Sequence, residues 1–299
     1  MSKFKLTMIV VSYNMARELP RTLRTLSPLM QHDIAAEDYE IIVVDNGSKT
    51  PPAASDYSHI CPNLRIHSVA NPSISPVRGI NEGLAMAQGD LVGVMIDGAR
   101  MASPRLLAMA VAAAAASPEP VIGTLAFHLG PEVQTQSVRK GYCQSVEDEL
   151  LASVDWEADG YRLFEISVFA GSSSHGWFVI PAETNALFLA RDHWKAIGGY
   201  DERFQMAGGG LVNLDVWRRV CERQRPTLLL GEATFHQFHG GVATNAEVSP
   251  WTVFHDEYVA IRGQPYECPV GTPLMFGAVM PAAMPSLRLS ASLDAPEAS

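Results

Sequence analysis

The sequence predicts an α/β fold built on a mainly parallel central sheet with helices on both faces. Residues 8–14 and 39–48 are apolar runs that end in polar residues, and Leu19, Leu23, Leu26, Leu29 and Met30 recur between them at helical spacing. Neither run alternates polar with apolar residues, which suits strands buried on both faces by helices. At 299 residues, 47% of them hydrophobic, the chain is long enough to bury one large core.

The elements follow in order. A helix is expected to begin between Asn14 and Glu18, after the first strand. Residues 63–69 predict a third strand, and residues 76–88 a helix with Ile80, Leu84 and Ala87 on one face. Residues 91–96 are a fourth apolar run, ending at Asp97, and Pro104 opens an Ala-rich helix to about Ala116. That helix falls short of the ~20 residues a membrane span needs, so it is read as a core helix. In such sheets ligands bind beyond the carboxyl ends of the strands, and Asn14, Asp45 and Asp97 all stand there. Each acidic residue alone is equally explained as a turn cap.

Residues 128–158 read as a polar insertion, and residues 171–177 as a surface loop that leaves His175 and Trp177 available for stacking. Residues 186–190 are a short strand-like run. Residues 269–285 are apolar but interrupted by prolines and glycines, which excludes a transmembrane helix. With 22 basic and 32 acidic residues the net charge is −10, so neither nucleic acid nor an anionic membrane surface is indicated. Cys61, Cys143, Cys221 and Cys268 are scattered without a Cys-x-x-Cys pair, and the N-terminus shows no signal peptide. Reduced thiols and a cytoplasmic location are expected.

Residues 11–14 (Val-Ser-Tyr-Asn), 43–48 (Val-Val-Asp-Asn-Gly-Ser) and 75–90, together with Gly-Gly-Tyr-Asp-Glu-Arg-Phe at 198–204, resemble family 2 inverting glycosyltransferases, in order and in spacing. The resemblance runs from about residue 6 to residue 241, with about 125–182 unmatched. It implies a GT-A fold, Rossmann-like at its N-terminal end, with an acceptor-side insertion. Residues 1–265 would form one domain, about 1–120 binding nucleotide and about 121–265 facing the acceptor, and residues 266–299 a Pro-rich, partly disordered tail. The implied donor is a nucleotide-diphosphate sugar, and the acceptor a glycan or lipid-linked hydroxyl. By the same resemblance Asp45 accepts a hydrogen bond from the base, Ser12, Tyr13 and Asn14 line the nucleotide, and Arg78 stands near the diphosphate. A solvated position at the start of a helix explains Arg78 equally well.

Two departures from the family pattern bear on the chemistry. Family members end the fourth strand in Asp-x-Asp, whose last carboxylate holds a divalent metal; here the run is Asp97-Gly98-Ala99-Arg100. Arg100 then supplies positive charge to the departing diphosphate, Asp97 serves the ribose or donor sugar, and dependence on Mn²⁺ or Mg²⁺ is expected to be weak or absent. A metal site of Asp97 with His239, and with His236 as a third ligand, is the alternative; hydrogen bonding of these histidines to phosphate is the simpler role. The second departure replaces the family's Glu-Asp-x-Asp by Val212-Asn213-Leu214-Asp215, so the general-base position is an Asn, which takes no proton at neutral pH. Glu183 is the first candidate for that base and Asp215 the second. The expected activity is transfer of a sugar with inversion; a catalytically inactive relative that binds a nucleotide-sugar or glycan is the alternative.

Overall fold

The structure, a computed structural model, describes residues 2–242 and 249–293. The expected α/β architecture is present. The chain runs β1 (Phe4–Ser12), α1 (Glu18–Thr25), β2 (Tyr39–Asp45), α2 (Ala54–Tyr57), β3 (Leu64–Ser68), α3 (Val77–Met86), β4 (Gly89–Met95), β5 (Arg100–Ala102) and α4 (Leu106–Ala115). It continues through β6 (Val121–Leu129), α5 (Gln134–Ser137), α6 (Gln144–Ala152), β7 (Ser167–Phe169), β8 (Leu187–Ala190), α7 (Arg191–Ala196) and α8 (Val212–Cys221). The last elements are β9 (Thr227–His236), α9 (Trp251–Arg262), β10 (Leu274–Gly277) and α10 (Met284–Ser292).

The strand order is β10-β9-β6-β8-β4-β1-β2-β3, with β5 added on β9 and β7 on β6. The pairs β1–β2, β2–β3 and β1–β4 are parallel, whereas β8 runs antiparallel between β4 and β6. Alternation along β1 sorts the core into two layers. Ile9 and Val11 join Val77 and Ile80 of α3 on one face, and Leu6, Met8 and Val10 join Leu19, Leu23 and α4 on the other. The Ala-rich α4 is thus a core helix, as its length required. No helix among the described residues is long and apolar enough to cross a membrane.

Two segments differ from expectation. The stretch at 269–285 is not all tail: β10 pairs in parallel with β9, and Ser290 of α10 accepts a hydrogen bond from the Trp177 amide at 3.3 Å. The last residues of the expected tail, 294–299, lie outside the described residues. Trp177 is 0% exposed and donates its indole N–H to the Leu229 carbonyl at 3.2 Å, so it is a core residue and not a stacking platform. The physical reason is area: an indole buries more apolar surface than any residue of its loop, and the sheet beneath it supplies the acceptor its N–H needs.

Candidate functional site

The site forms where β1, β2 and β4 end. Parallel pairing sets Ser12 beside Asp45. The turns after the two strands are tied together, since the Asn14 amide donates to Ser48 Oγ at 2.8 Å and the Lys49 amide donates to Asn14 Oδ1 at 2.9 Å. Asn14 holds φ 53°, a left-handed conformation that Asn tolerates better than most residues. Ser12 is buried and its carbonyl accepts the Asn46 amide, while Tyr13 is 55% exposed above the turn. Asp45 is buried: its Oδ2 accepts from the Ser48 amide at 3.2 Å, and its Oδ1 has no partner. A buried acceptor without a donor is uncommon.

A second group gathers after β4. Gly98 lets this turn press on β1, because a Cβ there would meet the Val11 carbonyl oxygen at 2.6 Å. β5 pairs antiparallel with β9 and sets Arg100 opposite His236. Asp97 Oδ2 lies 2.9 Å from His236 Nε2 and 3.3 Å from His239 Nε2, and its Oδ1 accepts the Ala99 amide at 2.9 Å. The three ligand atoms of Asp97, His236 and His239 fall within 4.8 Å of one another. Burial pulls the Asp97 carboxyl upward, but His239 and His236 outweigh it and hold Asp97 well below the usual carboxylate range. Burial and then the Arg100 charge push His236 down to about 4; His239 is lowered by burial but raised overall by Asp97.

Arg100 is buried, and its Nε and Nη1 have no hydrogen-bond partner; Asp97 Oδ2 at 3.9 Å is too far for one. Burial lowers the guanidinium's pKa against the opposing fields of Asp97 and Glu183. Arg78, by contrast, is more than half exposed and paired with Glu82 at 3.0 Å on the outer face of α3.

The acceptor-side candidates separate clearly. Asn213 of α8 donates its amide to Glu183 Oε2 at 2.9 Å and to the Thr184 carbonyl at 3.0 Å. Asp215 is buried with both oxygens taken, Oδ1 by Arg262 at 2.6 Å and Oδ2 by Arg262 at 2.7 Å and Arg219 at 2.9 Å. Both Asp215 oxygens are thus committed to guanidinium groups, and neither is left for an acceptor hydroxyl.

Sequence reasoning passed over one residue of the site. Gln134, at the start of α5 in the unmatched stretch, places Oε1 2.7 Å from His236 Nδ1 and donates Nε2 to the His236 carbonyl at 2.9 Å. A neutral amide 102 positions from its partner carries no motif that would have found it.

Residues 7–168, more than half of the chain, match the family described as glycosyl transferase family 2. The chain belongs to that family. A curated relative of this family 2 chain, validoxylamine A glucosyltransferase of Streptomyces hygroscopicus subsp. jinggangensis (strain 5008), is 29% identical over 220 residues, covering 70% of this chain and 50% of that protein. The family 2 chain thus spans about half the length of the curated relative it matches. The fold is similar to that of S. aureus TarS 1-349 in complex with UDP-GlcNAc, with a TM-score of 0.56 and 18% identity over 86% of this chain and 65% of that one. The complex of the same protein with UDP gives a TM-score of 0.50 and 13% identity over 98% and 68%.

Proposed function

We propose that this family 2 chain is a glycosyltransferase that moves a sugar from a nucleotide-diphosphate donor to a hydroxyl acceptor with inversion. One observation carries the reading: a buried acceptor without a donor, Asp45 Oδ1, and a buried guanidinium without a full set of acceptors, Arg100, flank the carboxyl end of β1. A nucleotide supplies both complements, a base N–H for Asp45 and phosphate oxygens for Arg100. Ser12, Tyr13 and Asn14, at the end of β1 and in the turn after it, are assigned to line the nucleotide. UDP and UDP-GlcNAc in the TarS structures, and the name of the glucosyltransferase relative, agree in chemical class.

Glu183 is assigned as general base and Asn213 as the residue that positions it. The acceptor hydroxyl attacks the anomeric carbon as its proton passes to Glu183, and the nucleotide diphosphate departs toward Arg100. The residues present do not suit a hard ion such as Mg²⁺ or Mn²⁺: Asp97 offers the one carboxylate of the cluster and Ala99 offers no ligand. No step is therefore routed through such an ion, and dependence on either is assigned as weak or absent. The acceptor is a glycan or lipid-linked hydroxyl.

A thermal-shift panel of nucleotide-sugars tests this reading. Stabilisation by at least one donor, lost in Arg100→Met, is expected; no stabilisation by any nucleotide or nucleotide-sugar would remove it.

A further inference from the structure

Trp251 breaks the pattern of the other tryptophans. The chain has five. Trp156, Trp177, Trp194 and Trp217 are buried, and the last three donate their indole N–H groups to the Leu229, Val92 and Pro181 carbonyls. Trp251, the first residue of α9, is 47% exposed. We propose that Trp251 is a stacking platform for a sugar ring of the acceptor, which is therefore a saccharide of at least two units: one offers its hydroxyl to Glu183 and another lies on the indole. This rests on the function proposed above, in which Glu183 takes the acceptor proton.

The indole is held in place before any ligand arrives. His255 stacks on it with ring centroids 5.9 Å apart and planes at 24°, and Tyr266 meets it edge-on at 6.3 Å. His255 is fixed in turn, because its Nε2 accepts the Tyr266 amide at 3.2 Å. A ring ordered in advance loses little freedom on binding. Its exposed surface suits a pyranose, whose ring C–H groups form an apolar face while its hydroxyls stay at the rim in water. Stacking the two removes apolar area from water on both.

The platform is mounted beside the proposed base. Tyr266 donates its hydroxyl to the carbonyl of Ala182, the residue before Glu183, at 3.0 Å. Burial, then Cys268 and Glu183, push the Tyr266 phenol up, so the Glu183 charge is felt at that ring. One hydrogen bond, one phenol and one ring contact thus separate the loop of Glu183 from the indole, a span that adjoining sugars bridge. α9 is fixed to the same region at two more points. Glu257 Oε1 accepts the Gln205 and Met206 amides at 2.7 and 3.0 Å, and Arg262 holds Asp215 of α8, the helix whose Asn213 touches Glu183. A bilayer or an apolar protein surface would need a continuous apolar patch. Val253 lies about 200° round the helix from Trp251, and Thr252, His255, Asp256 and Glu257 are polar.

The test is titration of the isotope-labelled full chain, read by its indole N–H signals in NMR, with disaccharides of glucose, galactose, mannose and N-acetylglucosamine in α and β linkage. The Trp251 signal, assigned by its absence in Trp251→Phe, should shift with at least one disaccharide, and the Trp177 and Trp217 signals should not. Sorbitol, a polyol with no ring face, should leave it in place. Calorimetric affinity for that disaccharide should fall at least about tenfold in Trp251→Ala, and less in Trp251→Phe, which keeps an aromatic ring. Should Trp251→Ala melt early, the wild-type shifts and Trp251→Phe still decide. No shift with any disaccharide, an equal shift with sorbitol, a shift with phosphatidylcholine vesicles in place of saccharide, or one that follows protein concentration alone overturns the proposal. Calorimetric binding of UDP by the same preparation in that event leaves the glycosyltransferase reading standing; no binding of UDP or of any nucleotide-sugar removes both.

Discussion

Asn213 donates its side-chain amide to Glu183 at 2.9 Å. The residue standing where the family's base is expected therefore touches the carboxylate proposed above as the base. Both are drawn together by local sequence: Thr184 Oγ1 donates to the Thr124 carbonyl at 3.0 Å, pinning the loop before β8, and Asn213 closes the same loop from α8. Under the function proposed above, Glu183 supplies the carboxylate that position 213 lacks.

Glu183→Gln is expected to lower turnover at least a hundredfold with donor affinity unchanged, since general-base catalysis supplies about 10²–10⁴. Steady-state rates and calorimetry on the same variant check this. Near-normal turnover would move the role elsewhere.

Asp215→Asn should act on stability instead. It leaves Arg219 and Arg262 without their shared carboxylate, and breaking a buried pair in this way costs about 3 kcal/mol. Denaturant unfolding measures it; an undiminished midpoint with turnover abolished would restore Asp215 as base.

Asp45→Ala is expected to weaken nucleotide binding by about 1.5–3 kcal/mol, the cost of one hydrogen bond to a charged acceptor. Unchanged affinity for every nucleotide would show that this turn does not read the base. Arg100→Met should weaken diphosphate binding similarly, while adding Mg²⁺ to the metal-free chain should alter wild-type affinity little.

Much of the fold was legible, and the reason is burial. Continuous apolar runs mark β1, β2 and β4, whose side chains face helices on both sides. β9 was not legible, because it carries Gly231 at φ 79° and the buried Glu232, which accepts from Ser103 and Tyr161 in distant segments. The prolines around β10 concealed a strand for a similar reason. At the candidate site, Asp45, Asp97 and Arg100 could be named because they stand at strand ends or in the turn that follows. Gln134 was not, and Trp177 was misread because a Ser- and Gly-rich loop resembles an exposed one whichever way its aromatic residue points.

A pH dependence follows from Glu147, which anchors the turn before His239 by accepting the Phe238 amide at 2.7 Å. Burial pushes its carboxyl up to about 7 despite the donors around it. Between roughly pH 4.5 and 7 the unfolded chain has lost this proton while the folded chain keeps it, so the folded state binds more protons and stability falls as pH rises. The contribution is of the order of 3 kcal/mol. Glu147→Gln should flatten the fall in melting temperature across that window; an unchanged slope would refute the assignment.

The most direct test is release of nucleoside diphosphate from a panel of nucleotide-sugars, compared between wild type and Glu183→Gln. The account predicts release by wild type from at least one donor and at least a hundredfold less by the variant, with equal donor binding in both. Tight donor binding with no release by wild type in the presence of any hydroxyl acceptor tried would contradict it.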